Sequence, residues 1–315
     1  MSAAHHAYRQ FDLTFVSDLA LPEMSGGAEP TGKEAADVVI ERGSVPADGA
    51  QIGPQIGPFS HAVAQVLWLR VPGVARFLIE NGTRIVYDPE PGIDEDSIRV
   101  FLLGSCVGTL LLQRGQFVLH GNAFAMGDGC VVCVGPSGAG KSTLAARMMQ
   151  RGHAIIADDV CPVDEQGRAV PGMARMKLWQ DSADVLGIDT VSLRRIRPDL
   201  QKFDLPIAAS ARAGRLPIRA IYILSPWNRE GAFAVEDLSG LARFQALRDN
   251  TYRFRFVKGM MLGASHLKQC GALAERVPVA QLHRPRQGFD IDGLVDCIQA
   301  DLARRMDEAE RKAAS

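Results

Sequence analysis

The chain has no surplus of charge. Its 35 lysines and arginines stand against 36 aspartates and glutamates, a net charge of −1 with histidine neutral. A field of one sign over the whole surface is excluded, and with it the bulk positive charge that grips nucleic acid. No nucleic-acid partner is expected. A long apolar run is also missing: stretches such as Val100 to Leu112 are broken by glycine and cysteine and stop short of the about 18 to 20 residues a membrane span needs. No membrane partner is expected. The start, Met1-Ser-Ala-Ala-His-His6, has no charged segment followed by an apolar block, so no export signal is visible and a cytoplasmic location is expected. Cysteine is sparse, and the six at 106, 130, 133, 161, 270 and 297 fit reduced, mostly buried thiols of that compartment. The near-repeat Gln51-Ile-Gly-Pro54 and Gln55-Ile-Gly-Pro58 is too short for a repeat architecture and reads as a flexible loop.

What is present is enough apolar material for a sizeable core: 315 residues at 47% hydrophobic content, room for two domains or for one with an elaboration. Residues Gly135, Pro136, Ser137, Gly138, Ala139, Gly140, Lys141, Ser142 and Thr143 match the full Gly-x4-Gly-Lys-Ser/Thr phosphate-binding pattern. The run before them, Cys130 to Val134, is short, apolar and β-rich, and Leu144 to Gln150 consists of helix formers. A strand thus feeds the loop and a helix leaves it. Glycines at 135, 138 and 140 let successive N–H groups turn inward toward phosphate oxygens, and the helix adds its positive end. Lys141 then reaches the β- and γ-phosphates, Ser142 supplies a hydroxyl for Mg²⁺, and Thr143 turns toward the helix packing. ATP and Mg²⁺ are the implied ligands. Cys130 and Cys133 form a C-x-x-C spacing on the incoming strand, where positions three apart face opposite ways; core packing in a parallel sheet is expected rather than a metal or redox site.

Alternating polar and apolar residues at 8–18, 36–41 and from Val66 to Tyr87, with Pro72-Gly73 and Asn81-Gly82 as interruptions, predict hairpins. Residues 1–92 therefore read as an antiparallel β-rich module with loops at 26–33 and 47–57, and 93–315 as a phosphate-loop α/β domain with C-terminal helices. Asp94 to Leu112 reads as a helix that packs on the following sheet. Strands are expected at 117–120, 122–126, 130–134, 175–179, 218–224 and 277–282, and helices at 142–151, 180–186, 238–250, 264–275 and 292–312.

Residues 153–159 form an apolar strand ending in Asp158 and Asp159. In a parallel sheet its carboxyl end shares an edge with the phosphate loop. Adjacent strand residues point opposite ways, which suggests one carboxylate for the metal and one for the nucleophile, without saying which. A lone strand histidine such as His120 is by itself more often a core residue than a catalyst, and His153 reads as structural. Arg175, Lys177 and Trp179 share one face of a predicted strand, suited either to a phosphate or peptide acceptor or to a solvated edge. Arg194, Arg195, Arg197 and Lys202 form a basic cluster followed by Arg212, Arg215 and Arg219. One of Lys202, Arg212, Arg215 and Arg219 is expected to reach a migrating phosphoryl group.

His120-Gly121, the phosphate loop and Arg151-Gly-His153 followed by Asp158-Asp159 occur in the order and spacing of the catalytic domain of HPr kinase/phosphorylase, which this chain resembles over about 120–160. The segment from Tyr8 to Glu23, with Pro171-Gly-Met173 to Trp179 and Ala220-Ile-Tyr222 to Leu224, resembles the HPr-kinase-related proteins that include lasso peptide precursor kinases. The resemblance implies that Lys141 and Ser142 hold ATP and Mg²⁺, that Asp158 and Asp159 serve as base and metal-side carboxylate, and that His120 orients or tunes one of them. It implies a serine kinase acting on a peptide or small protein, with a lasso peptide precursor as the favoured acceptor. An HPr-type carrier protein kinase, a small-molecule kinase and a nucleotide-gated NTPase or regulator are the alternatives. One departure stands out: the HPr enzyme's Glu-x-Arg-Gly segment has no carboxylate counterpart in Arg175-Met-Lys-Leu-Trp179, which argues against phosphorylase activity and against HPr as substrate.

Overall fold

The computed structural model describes residues 5–24, 36–173, 175–197, 200–208, 214–229, 232–285 and 290–313. The predicted loop at 26–33 lies outside them. The N-terminal strands are β1 (His6–Gln10), β2 (Leu13–Ser17), β3 (Val38–Arg42), β4 (Gln55–Gly57), β5 (Ser60–Val63), β6 (Val66–Val71), β7 (Ala75–Glu80) and β8 (Arg84–Pro89). They form one sheet in the order β1-β2-β3-β8-β7-β6-β5-β4. A turn between β7 and β8 is present, with Asn81 and Gly82 both at positive φ (53° and 67°), but Glu80 pairs with Arg84, so the connection takes in Thr83 and spans three residues rather than the two of Asn81-Gly82. The sheet is not purely antiparallel, however, because β3 runs parallel to both β2 and β8. The Gln51/Gln55 near-repeat is no slack loop either: it contains a 3-10 turn at Gly49–Gln51, capped by Asp48, and the edge strand β4.

Helices α1 (Glu95–Phe101) and α2 (Val107–Gln113) are continuous through a π-helical turn at Leu102–Cys106. Asp94 caps the start by accepting from the Ser97 N–H at 2.7 Å. The helical segment contacts the following sheet, yet most of its apolar face enters the N-terminal core: Leu102, Val107, Leu110 and Leu111, all fully buried, meet Phe15, Ile40, Leu67, Phe77 and Ile85. Each such side chain contributes about 1.5–3 kcal/mol of burial, which fastens the N-terminal sheet to the rest of the chain.

The second sheet comprises β9 (Phe117–Met126), β10 (Gly129–Val134), β11 (Ile155–Ala157), β12 (Val160–Val163), β13 (Arg168–Ala169), β17 (Leu216–Arg229), β18 (Ala234–Asp237) and β19 (Val279–Pro285). A small third sheet of β14 (Arg175–Trp179), β15 (Arg194–Arg195) and β16 (Lys202–Pro206) lies in the order β14-β16-β15. The helices are α3 (Lys141–Gln150), α4 (Gln180–Leu186), α5 (Gly240–Asp249), α6 (Phe254–Gly259), α7 (Gly263–Arg276) and α8 (Ile291–Ala313). None is long and apolar enough to cross a membrane. The fold is α/β, but the central sheet is mixed: β10 is parallel to β17 and antiparallel to β9, and β9 is one long strand rather than the two expected. Both faces of β10 are covered. Val131 and Cys133 pack with α3 and α8 residues such as Leu144 and Leu294, whereas Cys130 and Val132 pack with Leu247 and Leu273 of α5 and α7. The two cysteines therefore face opposite layers, as the strand spacing predicts.

Candidate active site

The cleft is built where β9, β10 and the β11–β12 segment pass one another. β11 and β10 flank β9 and both run antiparallel to it, so their carboxyl ends reach the same sheet edge. That edge carries the phosphate loop at the end of β10 and Asp158-Asp159 at the end of β11. The strand does not stop there: β12 resumes at Val160, paired with His120. The two acids are an interruption in a strand, with Asp159 in the left-handed region at φ 67°. This changes the expected geometry. Residues outside a regular strand need not alternate, and both carboxylates line one cleft.

The loop has the backbone its glycines predict. Gly138 and Gly140 hold φ of 80° and 82°, and Gly140 precedes α3 without a side-chain cap, leaving the helix N–H groups for an anion. Lys141 folds back, its Nζ donating to the Gly135 and Pro136 carbonyls at 2.8 and 3.1 Å. Thr143 is buried and its Oγ1 lies 2.8 Å from Ser182 Oγ on α4. Behind the loop, the fully buried Arg284 of β19 donates to the Ala139 carbonyl at 2.6 Å and to the Ser225 carbonyl, and burial brings its guanidinium down to about 10. Arg284 carries no motif and sequence reasoning misses it.

Each acid has its own set of donors. Asp158 accepts from the Asn122 amide and, at 2.9 Å, from the Lys177 backbone N–H. Asp159 accepts from Lys177 Nζ at 3.0 Å and sits 3.1 Å from His120 Nδ1. Burial, followed by the neighbouring Asp159 charge, pushes Asp158 up to about 6. Burial also acts against ionised Asp159, but the Lys177 ammonium and the His120 hydrogen bond prevail and hold it well below the usual carboxylate range. Burial lowers Lys141 and Lys202, and Lys177 adds to the effect on Lys202. Asn122 was missed, although it lies two residues from His120 on β9 and therefore on the same face.

The cleft, of about 460 Å³, gathers His120, Asn122, Ser137, Gly138, Gly140 to Thr143, Asp158, Asp159, Lys177, Trp179 and Lys202, with α4 residues on one side. Other predicted residues go elsewhere. Arg175 is buried and pairs with Glu23 and Asp204; Arg215 pairs with Asp12 and Asp164; Arg219 pairs with Asp128. Of the four cations expected to compete for the migrating group, only Lys202 lies in the cleft among the described residues, and Arg212 falls outside them. His153 bonds to the Ala125 carbonyl and Gln299, away from the cleft. Arg151 joins α3 to Asp292 and Asp296 of α8.

The N-terminal sheet supports this site from behind. Gln10 donates to the Pro171 and Gly172 carbonyls at 3.1 and 2.8 Å. Glu23 meets Arg99, Arg175 and Arg194, which also engage Asp96 and Asp204. Four acids, Glu23, Asp96, Asp204 and the exposed Glu95, thus meet three arginines at the root of β14, the strand that brings Lys177 to both carboxylates of the cleft.

The donor set fits Mg²⁺, a hard cation that takes one or two carboxylates together with substrate phosphates: Ser142, Asp158 and Asp159 offer only oxygen. No cluster of three or more His, Cys, Asp or Glu that would hold a metal unaided exists among the described residues.

No protein-family profile matches the chain. Over 134 residues it is 23% identical to the HPr kinase/phosphorylase of Prosthecochloris aestuarii (strain DSM 271 / SK 413), covering 42% of this chain and 36% of that protein. The chain thus matches little more than a third of the length of its curated relative. Among solved structures, the HPr(Ser) kinase/phosphatase from Coxiella burnetii aligns at 13% identity over 62% of this chain and 96% of that one, with a TM-score of 0.30. The sequence match bears out the resemblance to HPr kinase/phosphorylase at the level of the family. It does not single out the lasso peptide precursor kinases.

Proposed function

We propose that the chain is an ATP- and Mg²⁺-dependent kinase that phosphorylates a serine hydroxyl on a peptide or small protein. The observation that carries this reading is the meeting of Asp158 and Asp159 with the phosphate loop in one cleft. In the proposed mechanism the loop amides and Lys141 bind the triphosphate. Ser142 and one of the two aspartates hold Mg²⁺, which when bound offsets charge on the β- and γ-phosphate oxygens. The other aspartate takes the proton of the serine hydroxyl. The serine oxygen bonds to the γ-phosphorus as the bond to the β,γ-bridging oxygen breaks, and ADP leaves. His120 and the Lys177 ammonium orient Asp159, while Asn122 and the Lys177 N–H orient Asp158. Lys202 supplies positive charge along the bound triphosphate.

The missing carboxylate between Arg175 and Trp179 favours a kinase without the phosphorylase half-reaction. A lasso peptide precursor is the acceptor we favour, on the segments from Tyr8 to Glu23 and from Pro171 to Trp179. The test is incubation with γ-labelled ATP and candidate peptides, read by mass spectrometry. Label on a serine supports the proposal; free phosphate alone, with every precursor peptide and an HPr-type carrier offered, refutes it.

A further inference from the structure

The cleft is polar along the phosphate loop and around the acids, yet two large apolar side chains open into it from the α4 side. Trp179 is 47% exposed and Val185 57% exposed. The β14–β16 register places Trp179 opposite Lys202, whose Nζ lies 5.1 Å from the indole centroid. This wall is fixed relative to the loop. Ser182 of α4 bonds to Thr143 at the start of α3, and Gln150 at the end of α3 donates to the Leu186 carbonyl at 2.9 Å.

The polarity of a bound triphosphate follows from the loop. Lys141 serves the outer phosphates, while the N–H groups at the start of α3 serve the inner ones. The outer end must lie toward Asp158 and Asp159 for transfer, so the nucleoside emerges past Thr143, on the side of Ser182. Lys177, which touches Asp159, and Trp179, which borders α4, are separated on β14 by Leu178 alone and share one face; the strand thus runs from the reacting end of the cleft toward its nucleoside end. We infer that Trp179 and Val185 form a shelf on which the nucleobase of the triphosphate stacks, with Lys202 capping the indole beside the phosphates. A flat π-system with few positioned donors suits a base recognised by stacking. This assignment rests on the proposed nucleotide-binding reading and deepens it.

The test compares ATP with inorganic triphosphate, which has the phosphates but no base, by calorimetry on the full chain and on Trp179→Ala and Trp179→Phe. Loss of one base–aromatic stack weakens binding roughly 5- to 150-fold. Trp179→Ala should lose that factor for ATP, Trp179→Phe should recover most of it, and neither should alter inorganic triphosphate binding by more than about twofold. Equal losses for both ligands would make Trp179 a support of the phosphate loop and overturn the shelf. Unchanged ATP affinity with a raised KM for the peptide would also overturn it, assigning the wall to the acceptor while leaving the kinase proposal intact. If the wild-type chain bound neither ligand, the nucleotide reading itself would fall, and the shelf with it.

Discussion

Replacing Glu23 by glutamine removes one charge from the ionic cluster behind β14 and leaves its shape nearly unchanged. The Glu23 side chain is 4% exposed and faces Arg194 at 2.6 Å, Arg99 at 3.3 Å and Arg175 at 3.4 Å. After substitution, the three guanidinium groups keep Asp96, Asp204 and, at 3.5 Å from Arg99, the 65% exposed Glu95, so Arg175 and Arg194 lose their buried Glu23 partner. Breaking a buried pair by removing one partner costs about 3–5 kcal/mol, because the orphaned charge stays desolvated. The half-exposed Arg194 lets water relieve part of this, which places the expected loss near the lower end, about 3 kcal/mol. At about 2–4 °C per kcal/mol for a chain of a few hundred residues, Tm should fall by roughly 6–12 °C, with a matching shift of the urea midpoint followed by circular dichroism. Arg175→Met in the same chain removes the buried guanidinium that has lost Glu23, so Glu23→Gln/Arg175→Met should be less destabilised than the sum of the single variants by about 1 kcal/mol or more. A Glu23→Gln protein within about 1 kcal/mol of wild type, or strictly additive single variants, would refute the claim that these charges form one coupled, desolvated unit.

Asp158→Asn and Asp159→Asn should each retain nucleotide binding; the variant that loses the base should lose about 10²–10⁴ in kcat at an unchanged Mg²⁺ requirement, and its neighbour should show a raised Mg²⁺ requirement. Two variants with near wild-type transfer would end the assignment. Gly121→Ala places a Cβ 2.5 Å from the Cys133 carbonyl and 2.9 Å from Val134, so the β9–β10 pairing must shift beside His120; a loss of about 1–3 kcal/mol in urea denaturation is expected, and an unchanged midpoint would contradict the packing. His266 is buried against Thr251 at 2.9 Å, and burial lowers it to about 4. Its contribution to stability is fully present above about 6.5, its unfolded value, and is lost as pH falls from there toward 4. The window of about 2.5 units corresponds to about 3 kcal/mol, so His266→Gln should flatten the Tm–pH profile between those limits, whereas an unaltered slope would assign the effect elsewhere.

Strands and helices with strong local signals lie close to where the sequence places them. β14 and α4 match residue for residue, because Arg175 to Trp179 alternates toward a buried face and Gly187 supplies the left-handed stop after Leu186. The mixed direction of the N-terminal sheet was not legible: whether β3 pairs parallel with β2 and β8 depends on long-range contacts that periodicity does not encode. Of the site, the loop residues, paired acids and His120 came from motif spacing, and Lys202 from a cluster of candidate cations. Asn122 and Arg284 were invisible because a lone amide and a lone arginine become informative only beside their partners.

The sequence by itself determined the phosphate loop, since a tight glycine turn between strand and helix is a local property of nine residues. It likewise determined the placement of two carboxylates after an apolar segment. Which groups those carboxylates face was decided by tertiary structure alone. The resumption of β12 after Asp159 turns both acids into one cleft, and Lys177 reaches them from a strand rooted in the N-terminal ionic cluster. Arg175, Arg215 and Arg219 read like cleft cations in sequence and are instead spent on distant acids. Charge acts through space, and only the folded chain specifies which opposite charge lies within a few ångströms.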